Sequence, residues 1–284
     1  SELQSREAIL LENVRTLKEE FSPSLNNDLV RILAPLHDIY INDAFSASHR
    51  EHASIMGFPR VLPSAIGRLF ERELSAAQKL NLKDALFVLG GSKPEDNVKL
   101  VKNSNSRVLA TGLFGPACLI ALGKKLGKQN KIMKKEVKNI TAIIKKNRHR
   151  IFLPNDLAIE MHGKRIDLSI DDFPVDKKVL DLGIKSIEMY ANEIMKAKAV
   201  FFKGLAGLCN KPEFTVGTEI LLRATMACKG FTIVCGGHTS AMIEKLKIPK
   251  KKFGYVSLGG GALIYYLAEG TLPAIEALKS SRVH

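Results

Sequence analysis

Glycine clusters recur along this chain between short apolar runs and helical patterns, and that recurrence restricts the fold more than any other feature. The clusters are Gly90-Gly91-Ser92-Lys93, Gly112 within Thr111-Gly112-Leu113, Gly204-Leu205-Ala206-Gly207, Gly236-Gly237-His238-Thr239 and Gly259-Gly260-Gly261. The runs that precede them, residues 85–89, 107–110, 199–202, 231–234 and 255–257, read as strands, with residues 8–11, 38–41 and 151–154 as further candidates. Helical spacing predicts helices over residues 63–80, 115–122, 181–195, 215–228, 239–246 and 262–267. Short apolar strands alternating with helices imply an α/β fold, an open and mostly parallel sheet covered on both faces. In such sheets ligands bind beyond the carboxyl ends of the strands. Glycine lets backbone amides approach an anion, and the following helix start presents the positive end of a dipole. Several such turns on one sheet predict a single cleft for nucleotide phosphates. None is a Walker A loop or a GxGxxG fingerprint, so neither of those folds applies.

The domain boundary is expected on the helix at residues 63–80, where Ile66, Leu69, Phe70, Leu74 and Ala77 recur at helical spacing among Arg68, Glu71, Arg72 and Glu73. That boundary leaves residues 1–62 as a small N-terminal lobe and residues 81–270 as the larger one, with residues 271–284 as a return segment. Cys118, Cys209, Cys228 and Cys235 lack CxxC spacing and sit in apolar or glycine-rich stretches. Reduced thiols in a cytoplasmic protein are expected. Residues 1–11 carry Glu2, Arg6 and Glu7 rather than a basic and then apolar leader, and no apolar run reaches membrane-spanning length. Net charge is +14, which suits an anionic partner. Residues 124–150 hold eleven Lys or Arg and one acid, Glu136. This run contains no aromatic side chain on which a base could stack, so it reads as a solvated face rather than a nucleic-acid patch.

Other segments carry a resemblance. Tyr40-Ile41-Asn42-Asp43-Ala44-Phe45, followed by Ser48-His49-Arg50-Glu51-His52-Ala53-Ser54, resembles the phosphoglycerate kinase segment YVNDAFGxAHRxHAS. Leu11-Glu12-Asn13-Val14-Arg15 is similar to that family's LENxRF, and Leu89-Gly90-Gly91-Ser92-Lys93 to its LGGAK. Residues 212–219 are similar to the segment after its NGPxGxFE loop. Gly236-Gly237-His238-Thr239 resembles its GGGDT, or the GGGH form of archaeal members, and Val256-Ser257-Leu258-Gly259-Gly260-Gly261-Ala262 its VSTGGGA. Leu272-Pro273 with Ala277-Leu278 is similar to the family's LPG-x-x-AL close. These matches are collinear from Leu11 to Leu278.

The resemblance implies a three-layer nucleotide-binding lobe with a parallel sheet, plus part of a second α/β lobe, joined by a long helix. It also implies phosphoryl transfer between 1,3-bisphosphoglycerate and ADP, giving 3-phosphoglycerate and ATP, with Mg²⁺. Arg15 and Arg50 would hold the glycerate phosphate, for which a planar fork is suited. Lys93 would meet the transferring phosphoryl. Arg50, Lys93, Gly237 and Gly260 would form the catalytic set. Gly91, Ser92, Lys93, Thr111, Gly112, Gly207, Leu208, Asn210, Gly236, Gly237, His238 and Thr239 would bind the nucleotide. A monomer or homodimer is expected.

Taken singly, Arg15 and Lys93 could be plain surface cations. His49 and His52 read as structural histidines, and Asp43 as a turn or network residue rather than a base. Lys203 stands at the asparagine of NGPxGxFE, Leu205 at its proline and Asn210 at its glutamate. Asn97 stands at a lysine of many bacterial and eukaryotic members. His238 replaces an aspartate with a poor Mg²⁺ ligand. The family's opening strand, ending in DxN, and its SHLGRP-like loop have no counterpart before Leu11. Residues 1–284 alone are therefore expected to show no measurable turnover. The alternative is a degenerate relative that binds nucleotide or another anion.

Overall fold

The computed structural model describes residues 6–24 and 26–281. The chain divides into two compact units: residues 1–71 with 271–284, and residues 72–270. No helix among the described residues is long and apolar enough to cross a membrane.

In the first unit α1 (Asp28–Leu33) starts at Asn27, whose side chain accepts from the Leu29 amide. A two-stranded parallel sheet follows, β1 (Tyr40–Asn42) paired with β2 (Ser64–Ile66), and α2 (Ala53–Met56) lies between them in sequence. Ile41 and Ile66 of this sheet are solvent-exposed. The segment expected to be helical from residue 63 is helical only as α3 (Arg68–Lys79). Residues 64–66 are strand instead, because the Pro63 carbonyl accepts from the Tyr40 amide and the chain continues in register with β1. Residues 8–11, expected as a strand, form none. Ile9, Leu10 and Leu11 are exposed, and β-propensity needs a partner strand to act on.

The second unit is built on a six-stranded parallel sheet of order β11 (Tyr255–Ser257), β10 (Phe231–Cys235), β9 (Ala199–Lys203), β3 (Ala85–Leu89), β4 (Arg107–Ala110) and β5 (Ile151–Phe152). The chain passes through β3 (Ala85–Leu89), α4 (Pro94–Asn103), β4 (Arg107–Ala110), α5 (Phe114–Ala121), α6 (Lys128–Ile132), α7 (Lys134–Lys146) and β5 (Ile151–Phe152). It then makes an antiparallel sheet of β6 (Asp156–Met161), β7 (Lys164–Ser169) and β8 (Val179–Leu182), with β6 in the middle. The parallel sheet resumes through α8 (Ile184–Lys196), β9 (Ala199–Lys203), α9 (Val216–Ala227), β10 (Phe231–Cys235), α10 (Gly237–Lys245), β11 (Tyr255–Ser257) and α11 (Gly260–Glu269). Finally α12 (Pro273–Lys279) rejoins the first unit, where the Ala274 amide donates to the Ser48 carbonyl.

Every residue of β3 is buried, so both faces of the sheet are covered. Leu86, Val88, Val200, Phe202 and Val234 pack on one face against Ile187, Tyr190 and Ile194 of α8 and Leu221 and Leu222 of α9. Phe87 and Phe201 meet edge to face on the other, with ring centres 5.5 Å apart. The helix expected at 181–195 begins only after Gly183, because residues 179–182 pair with β6. The β6–β7 hairpin turns through His162 and Gly163, both at positive φ (49° and 74°), the conformation of a two-residue type I′ turn.

Candidate functional site

The glycine turns follow β3, β4, β9, β10 and β11, all at the carboxyl end of the one parallel sheet. Three of them are tied together through the backbone. Gly91 donates its N–H to the Leu205 carbonyl (2.8 Å), Gly112 to Ala206 (3.1 Å) and Leu113 to Gly91 (3.0 Å). Gly204 sits at φ 81°, and a side-chain carbon there would lie 2.6 Å from the Gly90 carbonyl carbon. Gly112, at φ 52°, would bring one 2.6 Å from the Gly91 nitrogen. Only glycine satisfies both the backbone angle and the contact.

These loops form the wall of a pocket of about 340 Å³, within the range of small-molecule sites. Of the residues expected to bind nucleotide, Gly91, Ser92, Gly112, Gly207, Leu208 and His238 line it. Thr111 is fully buried beneath the loop it begins, and Asn210 is exposed and does not line the pocket. Gly236, Gly237, Thr239 and Gly260 lie beside it, at two adjoining helix starts: a side-chain carbon on Gly260 would be 3.6 Å from the Gly236 Cα. The first amides of α10 and α11 have no carbonyl within their own helix to bond, so they are donors available to an anion. The buried hydroxyls of Thr111, Thr239 and Ser240 have no hydrogen-bond partner among the described residues. Lys93 is exposed and caps α4, with Pro94 as the first helical residue.

Reading the sequence missed Asp181, which also lines this pocket. It is 2% exposed and accepts from the Gly217 and Leu182 amides and from Arg165 Nη1, each at 2.9 Å. Burial outweighs those contacts and pushes its carboxyl up to about 6. Its only sequence signal is a carboxylate inside the apolar run Val179-Leu180-Asp181-Leu182. Two departures noted separately in the sequence prove to be neighbours: Lys203 Nζ donates to Asn97 Oδ1 at 2.7 Å.

In the first unit Arg15 is exposed on a short 3-10 turn. Arg50 is half-buried after another, and its guanidinium makes no hydrogen bond or ion pair with a described residue. His52 Nδ1 lies 3.3 Å from buried Glu20, which also accepts from the Ser54 amide and hydroxyl, so His52 is structural. Asp43 accepts from the Leu69 and Phe70 amides at 2.7 and 2.9 Å. It is the cap of α3 and not a base.

Comparison with known proteins bears on this geometry. The sequence profile of one family, described as phosphoglycerate kinase, matches residues 1–270. The phosphoglycerate kinases of Methanothermus fervidus and Sulfurisphaera tokodaii are each 38% identical, over 99% and 100% of this chain and 72% of their own lengths. The crystal structure of phosphoglycerate kinase from Pyrococcus horikoshii superposes with a TM-score of 0.85 at 30% identity, covering 95% of this chain and 72% of that one. A profile that spans both units, archaeal relatives along nearly the whole chain and a shared fold have one reading: the chain belongs to the phosphoglycerate kinase family, transferases that pass a phosphoryl group between 1,3-bisphosphoglycerate and ADP.

Proposed function

We propose that the first unit holds the glycerate substrate through Arg15 and Arg50, and that the second holds the nucleotide along the carboxyl end of its parallel sheet. One observation carries this reading: the pocket walled by Gly91, Gly112 and Gly207 is lined as well by His238 in the first turn of α10, whose start adjoins that of α11. A base and ribose fit the pocket, where Ser92 and Leu208 supply polar and apolar contacts, while Thr111 lies fully buried and supports the loop from beneath. Asn210, an uncharged side chain, would reach the ribose hydroxyls less strongly than a carboxylate. Phosphates would lie over the amides of Gly236, Gly237, His238 and Thr239.

Phosphoryl transfer asks the protein mainly for position and for positive charge around the equatorial oxygens. In this proposal Lys93 supplies charge, and the amides of Gly237 and Gly260 supply fixed donors that need no reorganisation as charge moves. Arg50, with its unengaged guanidinium, holds the glycerate phosphate in a two-pronged contact. Among the described residues no group of three His, Cys, Asp or Glu side chains could hold a metal ion. Mg²⁺ therefore enters this proposal on the nucleotide's own phosphates, as part of the substrate. A cytoplasmic setting accords with four unpaired cysteines, and a monomer or homodimer is the assembly proposed.

Calorimetry tests the assignment. ADP should bind the chain, and Lys93→Ala should weaken that binding roughly 10-fold or more. 3-Phosphoglycerate should bind more weakly to Arg50→Ala than to the unaltered protein. ADP affinity indifferent to Lys93, or glycerate affinity indifferent to Arg50, would remove those residues from the site.

A further inference from the structure

We propose that Lys203 is a second phosphate-binding cation of the nucleotide cleft, fixed in place by Asn97 to meet the terminal phosphate of ATP. This rests on reading the cleft as the nucleotide site. Lys203 ends β9, in register with Leu89 on one side and Cys235 on the other. It therefore stands between the turn at Gly90-Gly91 and the turn at Gly236-Gly237, and the next residue, Gly204, lines the pocket. Its carbonyl accepts from the Gly90 amide at 2.8 Å, which locks the strand end against that turn.

The side chain is only 14% exposed. Asn97, fully buried, donates its amide N–H to the Gly90 carbonyl at 3.0 Å. That contact sets which way the Asn97 group faces, and its oxygen receives the Lys203 ammonium at 2.7 Å. An ammonium carries three donors. The nearest carboxylate, Asp96, is 3.9 Å away and half-exposed, too far for a hydrogen bond. Burial, and then Lys93, lower the amine's pKa, while Asp96 acts in the opposite direction. Cys235 is itself held neutral, since burial pushes its thiol well up.

Such an amine is expensive to keep: partly desolvated, oriented by a neutral amide, and without a carboxylate in bonding range. An anion arriving between the two glycine turns would give its spare donors a charged partner. Lys93 differs in kind. It is exposed at the start of α4, whereas Lys203 is held by a buried hydrogen bond.

The test compares ATP, ADP and AMP binding by calorimetry in the full chain, Lys203→Met, Lys203→Asn and the reciprocal double variant Lys203→Asn with Asn97→Lys. Lys203→Met should lose roughly 10- to 100-fold in ATP affinity, the span of one charge-assisted hydrogen bond. It should keep AMP affinity within about threefold, and its urea midpoint should not fall, since a buried charge is removed. The double variant returns an amine to the same contact from α4 and should recover ATP affinity that Lys203→Asn loses. Equal losses for all three nucleotides, or a lowered urea midpoint with ATP affinity intact, would mean Lys203 only braces the Gly90 turn and would overturn the proposal. If Lys203→Met does not fold, the double variant decides: AMP binding without recovered ATP binding overturns it. Failure of the unaltered chain to bind any nucleotide would instead reject the cleft reading itself.

Discussion

Asp181 makes stability depend on pH in a direction opposite to that of an ordinary ion-paired carboxylate. In the unfolded chain it titrates near its usual value of 3.8, whereas in the folded chain burial pushes it up to about 6. Between those values the folded state holds a proton that the unfolded state has released. Stability then falls as pH rises, and the loss is complete once pH passes the folded value. A displacement of roughly two pH units corresponds to about 3 kcal/mol. Asp181→Asn removes the titration and leaves a neutral side chain of the same shape. Urea unfolding, followed by circular dichroism from pH 4 to pH 7.5, gives the stability of each protein. The difference, unaltered minus Asp181→Asn, should drop by about 3 kcal/mol across pH 4 to 6 and then level off. Other carboxylates cancel in that difference. A gap that stayed flat, or that widened with pH, would refute the reasoning. It would show that Arg165 and the two amides stabilise the carboxylate at least as much as burial penalises it.

Three further outcomes are expected. Gly204→Ala forces a side chain at positive φ into the Gly90 backbone and should cost about 2 kcal/mol or more in urea unfolding, abolishing ADP binding if the loop moves. Asn210→Glu should tighten ADP binding up to about 10-fold by calorimetry, by restoring charge opposite the ribose hydroxyls, and Mg²⁺ should add little to either protein. Asp43→Ala uncaps α3 and should lower stability by about 0.5–2 kcal/mol while leaving ADP affinity unchanged.

The parallel sheet was legible in the sequence because its strands are short, apolar and buried on both faces. The expected bounds for residues 85–89, 107–110 and 255–257 are those of β3, β4 and β11. The antiparallel sheet was not legible. β7 alternates charged and apolar residues at a half-solvated surface, and a search for continuous apolar runs passes over it. The basic run at 124–150, read as the solvated face of a helix and loop, does hold α7, but the charges masked its bounds and its buried face of Ile140 and Ile144. The glycine turns announced themselves, since the residue type is the signal. The contact between Lys203 and Asn97 did not, because it joins residues 106 positions apart. Asp181 escaped because an acid in an apolar run looks like an interruption until its three donors are known.

The two-stranded sheet of the first unit has a colloidal consequence. Among the described residues β1 pairs only with β2, and Ile41 on β1, Ile39 just before it, and Ile32 and Leu36 elsewhere in the unit are exposed. Strand edges and apolar side chains of this kind attract one another at short range. The whole chain carries a net charge of +14, which repels other copies over longer distances. Dissolved salt weakens the second force and not the first, since the screening length shrinks to about 8 Å at physiological ionic strength. The molecule should therefore stay dispersed in dilute buffer and turn mutually attractive as salt is added, with its second virial coefficient changing sign on the way.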